Sequence, residues 1–437
     1  MKKIMALVLL VLAYIGASFY AGVIGEQNIR QQLALSQAHT NAQGVVVELT
    51  DYQRGIFSSQ FQLTARLFSN PGVVEELTIN SDSEVKHGPL MFADGLKWGL
   101  FYAKTDAGLI TANTDTPLLL RDALGDALGQ LSLHGHFNGS YTAAWNTPPL
   151  HYAEQGEALT IDGFAVALRG NFNALDMQGD FTLGAVNYRA ADGAEVNMTP
   201  LNGVINMRML AENIPLTDVS AQVDELSLKF AGIAPMVVRN IQFNQSQKMR
   251  DSLVESGFQL TIAYLDSLLA LENLYYGASL TGLSVEAVNA WTDYGNAGVY
   301  ALQFDDTLRH ALALTFTDQL KLSLTSGAEL FGGRFTHSID LQTRAQYQGS
   351  RVSEVDNMAD LLAFLIGSSE LRVSKSVVTG SILILFLAEY LDTYLIEQGD
   401  DYVFNASLEG GVLRFADVAW PLAELMTMGN SATPVEE

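Results

Sequence analysis

The chain has 437 residues, 48% of them hydrophobic and 16% charged, which supplies a sizeable core and, as a soft prior, two or three domains. Its 48 acidic residues outweigh 24 basic ones for a net charge of −24, which argues against a nucleic-acid partner because phosphate backbones need clustered Lys and Arg. Cysteine is absent, and that removes disulfides, thiolate metal sites, thiol catalysis and an acylated-cysteine anchor.

Met1-Lys2-Lys3 precede Ile4 to Ile24, a run of 21 residues without a charge. At about 1.5 Å per residue it would form a helix of roughly 30 Å, the thickness of a hydrocarbon core. Residues 1–24 are therefore predicted to be two cytoplasmic lysines and one transmembrane helix. That makes the chain a single-pass protein of the cell inner membrane, with its bulk in the periplasm. Gly16-Ala17-Ser18 also has the small-residue spacing that a signal peptidase reads, with cleavage after Ser18. The apolar character that continues through Val23 favours a retained anchor. Residues 25–43 are polar and read as a stalk, with Ile29 and Leu33 on one helical face.

From Gly44 the period changes to two. Val45, Val47 and Leu49, then Phe61, Leu63, Ala65 and Leu67, predict two strands joined by Asp51 to Ser59 around Gly55. Asp162-Gly163 between Ile161 and Phe164 is a strong two-residue hairpin signal. Further strands are expected at Leu226 to Phe230, at Leu320 to Leu324, and at Tyr402 to Leu408 with a return through Leu413 and Phe415 after Glu409-Gly410-Gly411. Short Gly-containing turns imply antiparallel pairing. Helices are predicted after Thr116-Pro117, around Met358 to Leu365, and over Ser381 to Glu397. The uncharged Ser376 to Ala388 run is too short for a second span. Gly135-His136-Phe137, Gly170-Asn171-Phe172 and Gly179-Asp180-Phe181 echo one another at unequal spacing, which indicates similar strands rather than a solenoid. The tail, residues 429–437, is small, polar and acidic, and reads as disordered.

Candidate chemistry is sparse. His134 and His136 share a strand face and could begin a metal site with His151, but no further ligand stands at a telling distance. His39, His310 and His337 are isolated. The doublets Glu75-Glu76, Asp305-Asp306 and Asp400-Asp401 could divide acid and base roles only if they converged in a cleft. Asp82 and Glu84 lack an EF-hand loop. Tyr275-Tyr276 and Tyr390-Tyr394 could line a ligand groove or pack on a sheet. No G-x-S-x-G elbow, H-E-x-x-H or P-loop occurs, nor does S-x-x-K with its partner motifs.

Tyr52, Gly55, Phe57, Ser58 and Ser59 form Y-x-x-G-x-F-S-S, His87-Gly88-Pro89 follows, and Tyr402 to Phe415 makes a terminal hairpin. In that order the three resemble the YdgA-like family of bacterial envelope proteins, whose biochemical role is not established. The return strand Phe415-Ala416-Asp417-Val418 lacks the family's usual Asn-Gly. The resemblance implies one membrane helix and a homodimer. Ser59 could act as a nucleophile with His87 as base, although turn chemistry alone accounts for these residue types.

The resulting expectation is an α+β protein: a mostly antiparallel β-sheet, elongated and twisted, with covering helices, behind one N-terminal transmembrane helix. Residues 44–428 form the β-rich region, with room for two sub-domains. Its function is expected to be that of a non-enzymatic envelope protein that binds a partner protein or a lipid-like ligand, with no catalytic residue, metal or cofactor assigned. The alternatives are an envelope hydrolase using Ser59 and His87 or paired carboxylates, and a dimeric scaffold for membrane proteins.

Overall fold

The computed structural model describes residues 14–23, 26–27, 30, 45–68, 76–111, 128–154, 156–172, 174, 176–211, 214–267, 270–296, 305–344, 361–379, 395–416 and 418–421. The chain divides into two units, Met1–Met209 and Leu210–Glu437. Strands dominate both.

In the first unit Val45–Arg54 and Ser58–Phe68 form the predicted hairpin, antiparallel from Val45↔Leu67 to Arg54↔Ser59. Its turn is tighter than expected, because the strand continues past a bulge between Thr50 and Gln53 where Asp51 takes a φ of 50°. Glu76–His87, Phe101–Thr111, Gly129–Gly135 and Ser140–Thr147 then pair in succession, all antiparallel.

Ser140–Thr147 opens the first of four longer strands that pause at the same level: at Pro148-Pro149, Asp162-Gly163, Gly184-Ala185 and Thr199-Pro200. On one side of the pause Phe164–Asn171 pairs with Ser140–Thr147 and Asp176–Leu183. On the other, Glu157–Ile161 pairs with Leu150–Glu154 and Val186–Arg189. The flanking strands of Asp162-Gly163 therefore do not pair with each other, and the dipeptide is not the hairpin turn its residue types suggested. Gly163, at a φ of 93°, makes a mid-strand step in which a Cβ would meet the Thr147 carbonyl oxygen at 2.7 Å.

The glycines of two of the echoed triplets have a packing reason. A Cβ on Gly135 would fall 2.4 Å from the Phe101 ring, and one on Gly170 would fall 2.8 Å from Cζ of Tyr141. Each ring lies over a cross-strand glycine.

The second unit is another antiparallel succession. Ile214–Lys229, Met236–Arg250, Leu253–Asp266 and Leu271–Ser284 come first, and Lys321–Leu330, Gly333–Thr343, Leu365–Ser374 and Asp401–Glu409 follow. The Asp401–Glu409 strand returns through Val412–Phe415, as expected. Register gives the sheet two characters: Phe258, Ala278, Leu324 and Ile339 lie opposite one another in one row, and Gln259, Gly277, Thr325 and Ser338 in the next, on the other face.

Two helices unforeseen in the sequence, Val285–Asn296 and Asp306–Thr315, cover one end of the apolar face. A bulge prepares their departure: Ser256 faces Leu280 but Val254 faces Leu283, so the Leu271–Ser284 strand carries one extra residue around Gly282, whose φ is 88°. Leu283, Ala287, Leu308, Leu312, Phe316 and Phe364 then bury together as the core.

The predicted helices fare unevenly. Leu365 begins a strand rather than continuing a helix, and Ile396–Gln398 is strand. Most of the helix after Pro117, nearly all of Ser381 to Glu397, most of the 25–43 stalk and the 429–437 tail lie outside the described residues.

The N-terminal expectation is corrected. Among the described residues no helix is long and apolar enough to cross a membrane. Of the predicted span, residues 14–23 are described as helix. At about 1.5 Å per residue those ten positions cover about 15 Å, half of a hydrocarbon core. Their side chains are also engaged with protein: Tyr14 stacks on Phe57 at 5.6 Å, and Ser18 is fully buried. The single-pass inner-membrane anchor is therefore not supported, and the periplasmic placement that rested on it falls with it. The α+β class with a transmembrane helix gives way to a mostly antiparallel β structure with few helices.

Candidate functional site

The residues singled out in Y-x-x-G-x-F-S-S and H-G-P meet at one end of the first unit's sheet. Ser59 lies opposite Val85 in the ladder, so Ser59 and His87 share a face, and the His87 amide donates to the Phe57 carbonyl at 3.0 Å. The two side chains approach to 3.2 Å between Ser59 Oγ and His87 Nε2. His87 Nδ1 lies 2.8 Å from the Ser18 carbonyl oxygen. A carbonyl only accepts, so Nδ1 carries the ring proton and Nε2 accepts from the Ser59 hydroxyl. Burial lowers the His87 pKa below its usual 6.5. Bonds to the Ser18 and Ser58 backbones oppose that shift, and Arg54 adds to it.

Glycines allow this approach. A Cβ on Gly22 would fall 2.7 Å from Cε1 of His87, and one on Gly88, at a φ of 123°, would fall 2.3 Å from Ser18 Oγ. The ring thus lies directly on the helix backbone. Around it Tyr14 donates to the Leu90 carbonyl, Arg54 pairs with Glu26 at 3.0 Å, and Arg54 also lies over the Phe19 ring at 5.2 Å. Ser18 Oγ is buried and has no hydrogen-bond partner among the described residues.

This arrangement has two parts of a nucleophilic triad, with a main-chain carbonyl where a carboxylate would orient the histidine. Ser59 is 1% exposed and His87 2%, so a substrate has no access to either in this conformation. What the contacts do in the structure is fasten residues 14–23 to the sheet.

The remaining candidates disperse. His134 and His136 have ring centroids 4.2 Å apart, and His134 Nε2 bonds the Trp98 carbonyl at 3.1 Å. His151 sits on the Leu150–Glu154 strand opposite Thr160. Among the described residues no group of three or more His, Cys, Asp or Glu could hold a metal ion. Asp305 caps its helix through Leu308 N at 2.8 Å, and Asp306 faces Arg309 at 3.6 Å. Asp401 accepts from Ser374 Oγ at 3.0 Å, and the Asp400 carbonyl accepts from Lys375 N at 2.8 Å. Asp82 accepts from Gln62 at 2.7 Å, while Glu84 faces Lys86 at 3.6 Å. His337 bonds Ser369 at 2.9 Å, and His310 lies on the Asp306–Thr315 helix. Glu75, His39 and Tyr390 to Tyr394 lie outside the described residues.

A second site, which the sequence did not indicate, lies wholly in the second unit. Where the Val285–Asn296 helix stands on the apolar sheet face, a groove of about 630 Å³ opens, with Leu216, Val254, Leu280, Leu283, Val288 and Trp291 among its walls. A neighbouring hollow of about 410 Å³ continues along the sheet past Phe243, Phe258, Ala278 and Leu322. Gln245, Ser256 and Leu280 line both. None of the described residues lining either hollow is charged. Phe258 lies against Tyr276 with the rings tilted and their centroids 5.5 Å apart, and the two remain 37% and 41% exposed. Tyr275, by contrast, packs over Gly327, where a Cβ would fall 2.7 Å from its Cε1.

The family model described as "Bacterial protein of unknown function (DUF945)" matches residues 1–381. Among curated proteins, Protein YdgA of Escherichia coli (strain K12) is 22% identical over 191 residues, which is 41% of this chain and 38% of that protein. The chain therefore matches well under half the length of that relative. No solved structure matches.

Proposed function

The chain belongs to the DUF945 family of bacterial proteins of unknown function, and from that premise we propose that it is a non-enzymatic envelope protein that binds a lipid-like ligand. The observation that carries this reading is the uncharged groove of the second unit, with the exposed aromatic rings beside it. A hollow of several hundred Å³ with apolar walls and a few polar groups is the usual form of a small-ligand site. In a chain of net charge −24, a groove whose described lining carries no charge is suited to hydrocarbon.

The test is titration of the purified full-length chain with a fluorescent acyl probe, alongside mass spectrometry of co-purifying lipid. Leu280→Trp, at a position that lines both the groove and the hollow beside it, obstructs the two together and should sharply reduce probe uptake with the fold unchanged by circular dichroism. Absence of both probe binding and co-purifying lipid in the unsubstituted chain would defeat the proposal.

A hydrolase is the second reading, favoured by the 3.2 Å approach of Ser59 to His87. It requires residues 14–23 to move away and expose Ser59. His87→Asn would then abolish ester turnover in a chain that still folds; equal turnover by both chains counts against it. The dimeric scaffold draws support from the same end of the first unit, where Phe92, Leu96 and Trp98 are 73%, 63% and 63% exposed. A sedimentation mass that stays dimeric in the Phe92→Ser, Trp98→Ser double variant would remove that support.

A further inference from the structure

The polar groups of the groove divide into those already committed and those facing its interior. Trp291 Nε1 donates to Thr315 Oγ1 at 2.7 Å, which in turn donates to the Ala311 carbonyl at 2.8 Å. Thr292 donates to the Val288 carbonyl at 2.9 Å, and Gln247 Oε1 accepts from Thr217 N at 3.1 Å. These serve the protein's own backbone and packing. Gln245 and Ser256 differ in position: both line both hollows, so they stand where one passes into the other. In the ladder Gln245 faces Phe258 and Gln247 faces Ser256, which makes Gln245 and Ser256 diagonal neighbours on one face.

On one side of this pair lie Phe243, Phe258 and Ala278, while Leu322 stands at the level of Ser256, two strands away. On the other lie Leu216, Val254, Leu283, Val288 and Trp291. From Val254 to Phe258, opposite Leu283 and Ala278, the floor runs four strand steps, about 13 Å. Along the groove a band of neutral polar groups, Gln245 and Ser256 with Gln247 beside them, stands between two mainly apolar stretches.

Resting on the lipid-binding reading, we propose that the ligand is a neutral lipid with an internal ester or amide link. Its link lies at Gln245 and Ser256, and a hydrocarbon arm lies in each hollow. An amide side chain and a hydroxyl can each donate and accept, which matches a carbonyl oxygen and, for an amide, its N–H. A free carboxylate or phosphate has no cationic partner among the described lining residues, and burying an unpaired charge is strongly unfavourable.

The experiment compares three probes of equal chain length on the full-length protein: a long-chain alkyl ester of a fatty acid, the free fatty acid at a pH where it is ionised, and the alkane. The ester should bind about tenfold or more tightly than either competitor, the margin that one buried hydrogen bond or one unpaired charge sets. Gln245→Leu should erase the preference of ester over alkane while alkane binding persists, and Ser256→Ala should reduce the same preference. Alkane binding in both variants reports that the groove is still formed. If the fatty acid binds as well as the ester, or if Gln245→Leu leaves the preference intact, the assignment of the link is overturned and the lipid-binding reading stands. If none of the three binds, both fall together.

Discussion

Gly22 provides a test in which the sign of the effect is decisive. In a solvent-facing helix, Gly→Ala stabilises by about 1 kcal/mol, because glycine loses more backbone freedom on folding. Gly16, in the same helix, has nothing within 4 Å of an added Cβ, so Gly16→Ala should show that gain. At Gly22 the added Cβ would fall 2.7, 2.8 and 3.1 Å from three atoms of the His87 ring. The ring cannot retreat freely, since it is held by Ser18 at 2.8 Å and Ser59 at 3.2 Å. Overpacking costs about 1–3 kcal/mol and an abandoned buried hydrogen bond about 1–3 kcal/mol. Set against the helix gain, Gly22→Ala should destabilise by about 1–5 kcal/mol. Urea denaturation of both variants measures the net change, and hydrogen exchange over residues 14–23 shows whether the loss is local. A Gly22→Ala chain stabilised as much as Gly16→Ala would refute the contact between this helix and His87.

Two further outcomes follow from the same contacts and from the second unit. The lowered pKa of His87 means that the folded state favours the neutral ring, so its stabilising contribution is complete above 6.5 and is lost as pH falls from there through the lower folded value. His134 is also lowered, chiefly by burial, so the diagnostic quantity is a difference: between neutral pH and about pH 5 the unsubstituted chain should lose more stability than His87→Gln does. Equal slopes would count against the assignment. Asp305→Ala should cost about 0.5–2 kcal/mol through loss of the helix cap, whereas Asp306→Ala, at an exposed i,i+3 pair, should cost no more than about 0.5 kcal/mol. Comparable thermal shifts for the two would contradict the cap.

Strand positions were legible because alternation is a local signal: Phe61 to Leu67 and Tyr402 to Leu408 could be read without knowing their partners. Pairing was harder to read. Asp162-Gly163 has the residue types of a hairpin turn, yet both flanking strands find other partners across the pause, and only the neighbours' lengths decide that. The Asp306–Thr315 helix has a readable pattern in Asp305 followed by Leu308, Ala311, Leu312 and Thr315, but the adjacent carboxylates Asp305-Asp306 fit an acid pair equally well. Ser18 and Gly22 illustrate a different limit. Within an apolar run they read as membrane or signal residues, and only the fold brings His87, 69 residues beyond Ser18, onto their backbone. The groove left no sequence signature because Gln245, Ser256 and Leu280 come from three strands.

The aligned pauses in the first unit impose an arithmetic on any descendant of this chain. Val186 pairs with both Ile161 and Met198, and Leu183 with both Phe164 and Leu201, so each of these strands skips the same two residues. Identity at those positions can drift: one strand uses two prolines, another Asp-Gly. Number cannot. A single residue gained or lost in one pause would keep pairing correct on one side and shift it by one on the other, sending every inward side chain beyond it outward. Length changes should therefore collect in the connections between these strands, such as residues 190–194, and be absent from the pauses.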